Sequence, residues 1–340
     1  MNNPIEYIPV ESDFEFAKRE ELTETDDVFA GESNEKAAFR KFFSKKINIF
    51  AVVLLLMLII MSIVGPYLTG NPSNEQNLSN SNLPPHIPII ADGNETMHMS
   101  DGDVRINRYK ENGIENVYYI FGTDDLGRDL FSRCWQGLRI SLIVALAATL
   151  INFLIGMNYG MISGYIGGKT DMVLQRIIEI AGSIPSLVVV TLLMLIMKQG
   201  MLTIIFALML TGWMEMSTIA RTHTLRLKEQ EFVLAAKTQG AGKSRIIYKE
   251  IFPNLFGALM TQAMIDIPAA IFMESFLSFV GIGMPVEKCS LGTLISTGFN
   301  NTLLHPYKII PPVIILVLLM ISCNIISDGL KDAFDLADRK

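Results

Sequence analysis

Between Ile47 and Gly70 the chain carries no charged residue. As a helix rising ~1.5 Å per residue, such a run is long enough to cross a ~30 Å hydrocarbon core. In lipid only a helix or a closed barrel satisfies every backbone group. Lys36, Arg40, Lys41, Lys45 and Lys46 stand just before the run, which marks the cytoplasmic side, so the N-terminus is expected inside and this helix leads out. Apolar residues make up 50% of the 340 and are gathered in blocks, which favours one membrane domain with polar appendages over two soluble domains.

The other blocks follow in order. Ile140 to Gly168 returns inward, with Gly156, Gly160, Gly164, Gly167 and Gly168 allowing close helix packing or a bend. Lys169, Asp171, Arg176 and Glu179 make a short inner connection, Ile180 to Met197 leads out past Pro185, and Lys198 to Met201 is an outer turn. Leu202 to Ala220 comes back, Phe256 to Gly283 goes out, Met284 to Lys308 is an outer excursion, and Ile309 to Ser327 returns behind Pro311 and Pro312. The expectation is an all-α membrane protein with six transmembrane helices and both termini cytoplasmic. Its parts are a tail over 1–46, acidic then basic; the first span over 47–70; an extracytoplasmic loop with an amphipathic segment over 71–136; a transmembrane domain over 137–330 with a cytoplasmic loop at 221–254; and a cytoplasmic tail over 331–340.

Much of the acidity behind the net charge of −6 lies in the first 35 residues, which read as a solvated, disordered tail. Residues 1–46 are too charged for a signal peptide. Cys134, Cys289 and Cys323 fall at unrelated spacings and read as buried structural thiols. Residues 71–120 are rich in Asn, Ser, Pro and acidic groups; Asn77 and Asn94 open N-x-S/T triplets there, and Met97-His98-Met99 is a soft-ligand set with no rigid frame, so no metal site is assigned.

The segment from Phe121 to Arg133 reads as an amphipathic helix on the outer membrane surface. Asp124/Arg128 and Asp129/Arg133 are i,i+4 opposite-charge pairs, with Leu126, Leu130, Phe131, Cys134 and Leu138 opposite them. Pairing with aspartates accounts for Arg128, Arg133 and Arg139 lying outside against the positive-inside tendency.

Arg226 to Gln239 is free of Gly and Pro and reads as one helix, Gly240 and Gly242 break it, and a second short helix is closed by Pro253. The result is a charged knob between the fourth and fifth spans. Gly242-Lys243-Ser244 imitates the end of a nucleotide-binding P-loop, but Lys237 occupies the place of the required glycine and the preceding residues are helical in pattern. The knob is expected to touch a nucleotide-binding partner rather than bind nucleotide. Within the fifth span, Asp266 and Glu274 are translocation-pathway candidates, because a carboxylate at membrane depth is costly without a function or a partner. The plainer readings are helix pairing for Asp266 and hydration near the outer interface for Glu274.

Four blocks carry a family resemblance: Gly122-Thr-Asp-Asp-Leu-Gly-Arg-Asp129, Ala235-Ala236 with Gly240 and Pro253-Asn254, Glu274-Ser-Phe-Leu-Ser-Phe-Val-Gly-Ile-Gly283, and Asp328-Gly-Leu-Lys-Asp332. In this order they resemble the C-type permease subunit of oligopeptide and dipeptide ABC importers, over roughly residues 45–340. The resemblance implies the type I importer permease fold and a subunit of an ATP-driven, binding-protein-dependent importer in the plasma or inner membrane. It makes Leu234, Ala235, Ala236, Gly240, Ala241, Gly242 and Pro253 the ATPase-coupling positions and Gly122, Thr123, Asp124, Asp125, Gly127, Arg128 and Asp129 the outer family motif. Leu234 stands where the broader importer family has glutamate, which points to the peptide subclass, and Glu250 and Phe252 replace common aliphatics. The implied partners are a homologous permease, two ATP-binding subunits, an external solute-binding protein and the bilayer, with no nucleic acid. No cofactor or catalytic residue is expected of this chain, since ATP is bound by the partners.

Two other classes compete. An ion channel or secondary transporter would use Asp266 and Glu274 as coupling-ion ligands, but no convincing internal repeat is present. A membrane-embedded enzyme is disfavoured because His86, His98, His223 and His305 are scattered and no nucleophile-base or His/Glu metal spacing occurs. Nickel or another small solute is the alternative substrate.

Overall fold

The structure, a computed structural model, describes residues 34–70, 73, 75–87, 91–99, 102–285 and 288–335. Residues 1–33, nearly all of the acidic tail, lie outside these residues, as do 336–340. Helix α1 spans Asn34–Ser44 and α2 Lys46–Leu68. Two small antiparallel hairpins follow, β1 (His86–Ile87) with β2 (Ala91–Asp92) and β3 (Asn94–Met99) with β4 (Gly102–Asn107), and then the single turn α3, Arg108–Glu111. Next come α4 (Leu130–Ile166), α5 (Gly168–Gly182), α6 (Ser186–Met197), α7 (Met201–Leu227) and α8 (Glu231–Thr238). The chain closes with α9 (Lys243–Phe279), α10 (Leu291–Asn300) and α11 (Ile310–Asp335).

Five of these, α2, α4, α7, α9 and α11, are long and apolar enough to cross a membrane. The expected third span is a bent pair of helices, and taken as one span it brings the candidate spans to six. Helices α5 and α6 meet at 75° beside Pro185, so the inner connection is itself a helix and α6 alone is 12 residues long. At 37 residues, α4 measures about 55 Å, well beyond the ~30 Å core, so its two ends stand in the polar layers.

Close approach of α4 to α7 depends on three glycines. A Cβ at Gly156 would lie 2.5 Å from the Trp213 carbonyl, at Gly160 2.2 Å from that of Ser217, and at Gly164 2.9 Å from that of Arg221. This four-residue spacing lets backbones touch where lipid gives no hydrophobic drive for helix association. Elsewhere the missing donors of internal prolines are answered from neighbouring helices. Pro66 leaves the Ser62 carbonyl free, and Arg139 Nε donates to it at 2.8 Å; Pro268 frees the Met264 carbonyl, and the Ser327 hydroxyl donates to it at 2.6 Å. Arg139 is therefore held by backbone carbonyls rather than by an aspartate.

Three further expectations are corrected. Phe121 to Asp129 is a tight loop and α4 starts only at Leu130, because Gly122 and Gly127 take positive φ and the Asp124 carboxylate accepts from the Leu126 and Arg128 N–H groups, both at 2.9 Å. The knob helix is interrupted after Leu227 and restarts at Glu231. Pro253 does not close a helix: α9 runs through it, behind a π-helical turn at Ile246–Ile251. The outer excursion holds the buried helix α10, capped by Ser290 and Thr293 exchanging side-chain and backbone bonds; that pair, followed by Leu291 and Leu294, was the available sequence signal. Cys134, Cys289 and Cys323 are buried free thiols.

Candidate functional site

The knob is built around α8. Val233 turns inward and packs with Ile246, Ile251, Leu227 and Tyr165. The two alanines divide their work: Ala236 faces this cluster, whereas Ala235 is exposed beside Phe232 and Leu234. At the C-terminal end, Gly240 N–H bonds the Lys237 carbonyl and Ala241 N–H bonds the Ala236 carbonyl, at 3.1 and 3.0 Å, with Gly240 at φ +81°. This is a Schellman end, and its left-handed residue favours glycine. Gly242 is exposed and extended, and Pro253 is exposed on the first turns of α9. The outward surface of α8 thus offers small and apolar side chains on a rigid base set between α7 and α9.

Sequence reasoning missed the brace behind this knob. Arg221, near the end of α7, donates through Nε and Nη2 to the two carboxylate oxygens of Asp171 on α5, both at 2.6 Å, while the Ser163 hydroxyl of α4 also donates to Asp171. Lys228 Nζ donates to the Gly164 carbonyl at 3.0 Å. Three helices are fixed to one another just before the chain turns into α8. Nothing in the spacing of residues fifty apart reveals such a pair.

At the opposite end, the Gly122 to Asp129 motif is a knot rather than a solvated face. Asp124 Oδ2 pairs with Arg128 Nε at 2.7 Å and with Arg133 Nε at 3.4 Å. The expected Asp129/Arg133 pair is not formed, because Asp129 caps α4, accepting from the Phe131 and Ser132 N–H groups and from the hydroxyls of Ser132 (2.7 Å) and Thr69 (2.8 Å). Burial pushes the Asp129 carboxyl above the usual carboxylate range, against the lowering by these hydrogen bonds. Asp125 pairs with the buried Lys308 at 2.7 Å and accepts from Asn301 at 3.0 Å, and Lys308 also reaches the Asn82 side chain. Thr123 bridges the Asn80 carbonyl and the Leu83 N–H. A Cβ at Gly127 would lie 1.9 Å from the Asn77 carbonyl oxygen, so only glycine fits there. The motif binds the first span, the 77–84 segment, α4 and the start of α11 into one unit.

The two acids of the fifth span differ. Glu274 is 0% exposed and accepts from Ser141 of α4 at 2.6 Å and Ser278 at 2.9 Å, which makes it a helix-pairing group and removes the hydrated reading. Asp266 is partly exposed and accepts from Gln262 at 2.8 Å. The Met97-His98-Met99 side chains lie outside the described ones.

Residues 156–337 match the family described as "Binding-protein-dependent transport system inner membrane component", and residues 36–85 match "N-terminal TM domain of oligopeptide transport permease C". The chain is 36% identical to the oligopeptide transport system permease protein OppC of Bacillus subtilis, covering 90% of each chain. It is 40% identical to the dipeptide transport system permease protein DppC of the same organism, over 88% of this chain and 84% of the relative. Identity is likewise 40% to DppC of Lactococcus lactis, over 88% and 89% respectively. With a family match over more than half its length and relatives aligned nearly end to end, the chain belongs to the inner-membrane permease components of binding-protein-dependent transport systems, as a multi-pass, non-catalytic subunit of an ABC importer.

Proposed function

We propose that this permease imports oligopeptides or dipeptides and forms its pathway together with a homologous second permease, above two ATPase subunits and below an external binding protein. The peptide class rests on the names of the relatives, OppC and DppC. Coupling is assigned to α8, with Leu234 and Ala235 meeting the ATPase, Ala236, Gly240 and Ala241 shaping the knob, and Gly242 and Pro253 leading into α9. ATP is bound by the partners and none by this chain. The observation that carries the reading is the exposed Phe232, Leu234 and Ala235 surface on a base fixed by Val233 and braced by Asp171 and Arg221. A helix so mounted moves with α7 and α9, so closure of a partner becomes a rigid-body shift of two spans. In this reading both termini face the cytoplasm and Asp266 lines the pathway.

The test is affinity purification of the tagged chain from mild detergent, followed by mass spectrometry and an ATPase assay. Recovery of a second permease and an ATPase, with hydrolysis stimulated by a peptide-loaded binding protein, is the expected result. A chain that emerges alone or as a homo-oligomer without ATPase overturns the proposed assembly; stimulation by a nickel-loaded protein instead overturns the peptide assignment.

A further inference from the structure

The knot formed by the Gly122 to Asp129 motif leaves one charged edge open. Asp124, Arg128 and Lys308 face Thr293 and Thr297 of α10 across a cavity of about 90 Å³. At ~30 Å³ per water this is the room of about three waters, enough for a carboxylate group and too little for a peptide backbone. Asp125 also lines it, with a side chain 49% exposed, so the cavity opens to solvent at this end of the molecule.

Arg128 is only 6% exposed, and its guanidinium is fixed in place. Its backbone N–H donates to Asp124 Oδ1 at 2.9 Å and its Nε to Asp124 Oδ2 at 2.7 Å. Asp124 therefore takes the Nε side alone. Neither Nη nitrogen is hydrogen-bonded to a described residue, and neither is sealed from solvent, so both open on the cavity. The rest of the lining is engaged elsewhere. Asp125 is held by Lys308 and Asn301. The Thr293 hydroxyl exchanges bonds with Ser290, and that of Thr297 donates to the Thr293 carbonyl. Lys308 uses two of its three N–H groups on Asp125 and Asn82 and retains a third. A buried charged donor left without an acceptor is costly, so the Nη edge calls for one from outside the chain.

We infer that this cavity is a carboxylate-binding site, in which Nη1 and Nη2 of Arg128 donate side by side to the two oxygens of the guest. A guanidinium fork matches a planar carboxylate and not a spherical halide. A small free carboxylate and the carboxyl terminus of a peptide offer the same chemistry. The inference concerns this chain's own residues and does not rest on which solute is carried.

The experiment uses the full-length tagged chain, with whatever subunits accompany it, purified in detergent without carboxylate buffers. Thermal unfolding is followed as sodium acetate replaces sodium chloride at constant ionic strength. Acetate is expected to raise the unfolding midpoint saturably. Arg128→Lys keeps the charge and lacks the fork, so it should lose about ten-fold or more in acetate affinity. Thr297→Leu fills the cavity without touching the bond between Arg128 and Asp124; it should abolish the response and leave the midpoint in chloride little changed. Glycylglycine and glycylglycinamide separate the two sources. Protection by the free acid alone, lost in Thr297→Leu, shows that the site accepts a peptide carboxyl terminus, whereas protection by acetate alone shows a site for small carboxylates. Acetate no more effective than chloride on the unmodified chain overturns the inference. So does an acetate response that Arg128→Lys and Thr297→Leu leave intact, since the anion then acts elsewhere.

Discussion

Asp171 and Arg221 form a two-pronged ion pair, with both N–H to carboxylate contacts at 2.6 Å, at the point where α5 crosses the foot of α7. A guanidinium presents two parallel donors to a carboxylate, so the pair fixes orientation as well as distance. It lies a few residues ahead of α8, where any looseness would be passed to the knob.

This brace predicts strong coupling in a double-mutant cycle. Asp171→Asn and Arg221→Gln are each expected to lower stability, and the double variant to lose about 1–3 kcal/mol less than their sum. Denaturation of the four purified proteins measures this. Strict additivity would show that the pair contributes nothing beyond its separate side chains. Solute uptake should fall in the single variants, while membrane content remains.

The Schellman end of α8 predicts a graded series at Gly240. Gly240→Asn should be tolerated and Gly240→Ala should cost about 1 kcal/mol, because the φ of +81° is disfavoured for a residue with a Cβ while no neighbouring atom obstructs one. Gly240→Pro removes the N–H that bonds Lys237 and is incompatible with that φ, so transport and ATPase coupling should be lost with the protein still in the membrane. Ala235→Arg should do the same from the exposed face. Normal uptake by either would remove α8 from coupling.

Asp129 predicts a pH dependence of defined sign. Its folded pKa is raised by burial, so its share of stability is fully present below the unfolded value of about 3.9 and is lost as pH rises through the folded value. Relative to Asp129→Asn, the unmodified protein should therefore lose ground between pH 4 and pH 7 in thermal unfolding. A difference that grows in its favour over that range would contradict the assignment. Asp129→Ala should cost about 1–2 kcal/mol at acid pH, through loss of the α4 cap and of the Thr69 contact, and less as pH rises.

Glu274 and Asp266 should separate by phenotype. Glu274→Ala strands the buried hydroxyls of Ser141 and Ser278 and opens a cavity, an expected loss of about 2–4 kcal/mol, whereas Glu274→Gln retains both as partners. Asp266→Ala should instead alter transport at nearly unchanged stability and without releasing the ATPase. Unfolding midpoints and uptake rates, measured side by side, distinguish the two; unchanged uptake would return Asp266 to a structural role.

The Ser327 contact predicts non-additivity with a proline. Ser327→Ala should cost about 1 kcal/mol while Pro268 leaves the Met264 carbonyl free, and much less in a Pro268→Ala background, where the helix supplies its own donor. Unfolding of the single and double variants decides it. An equal cost in both backgrounds would show that the hydroxyl is not replacing the missing N–H.

Much of this protein is legible in its amino-acid order alone. The apolar run after the bases at 36–46 can only be a span, since lipid leaves the backbone no other partner than itself. The left-handed corner is legible in Gly240, because one residue type dominates that conformation. The Ala235-Ala236 pair marks the knob, although only packing separates an outward alanine from an inward one. What tertiary structure alone decided was every partnership between distant segments. The i,i+4 spacing of Asp124 with Arg128 is the same in a helix and in the loop actually formed, and local sequence gives no reason for Asp129 to choose Thr69 over Arg133. Arg139 with Ser62, Asp171 with Arg221 and Glu274 with Ser141 are likewise pairings across helices. Spans are written in the sequence because desolvation acts residue by residue along the chain; their contacts are not, because packing depends on which surfaces meet only after the helices have assembled.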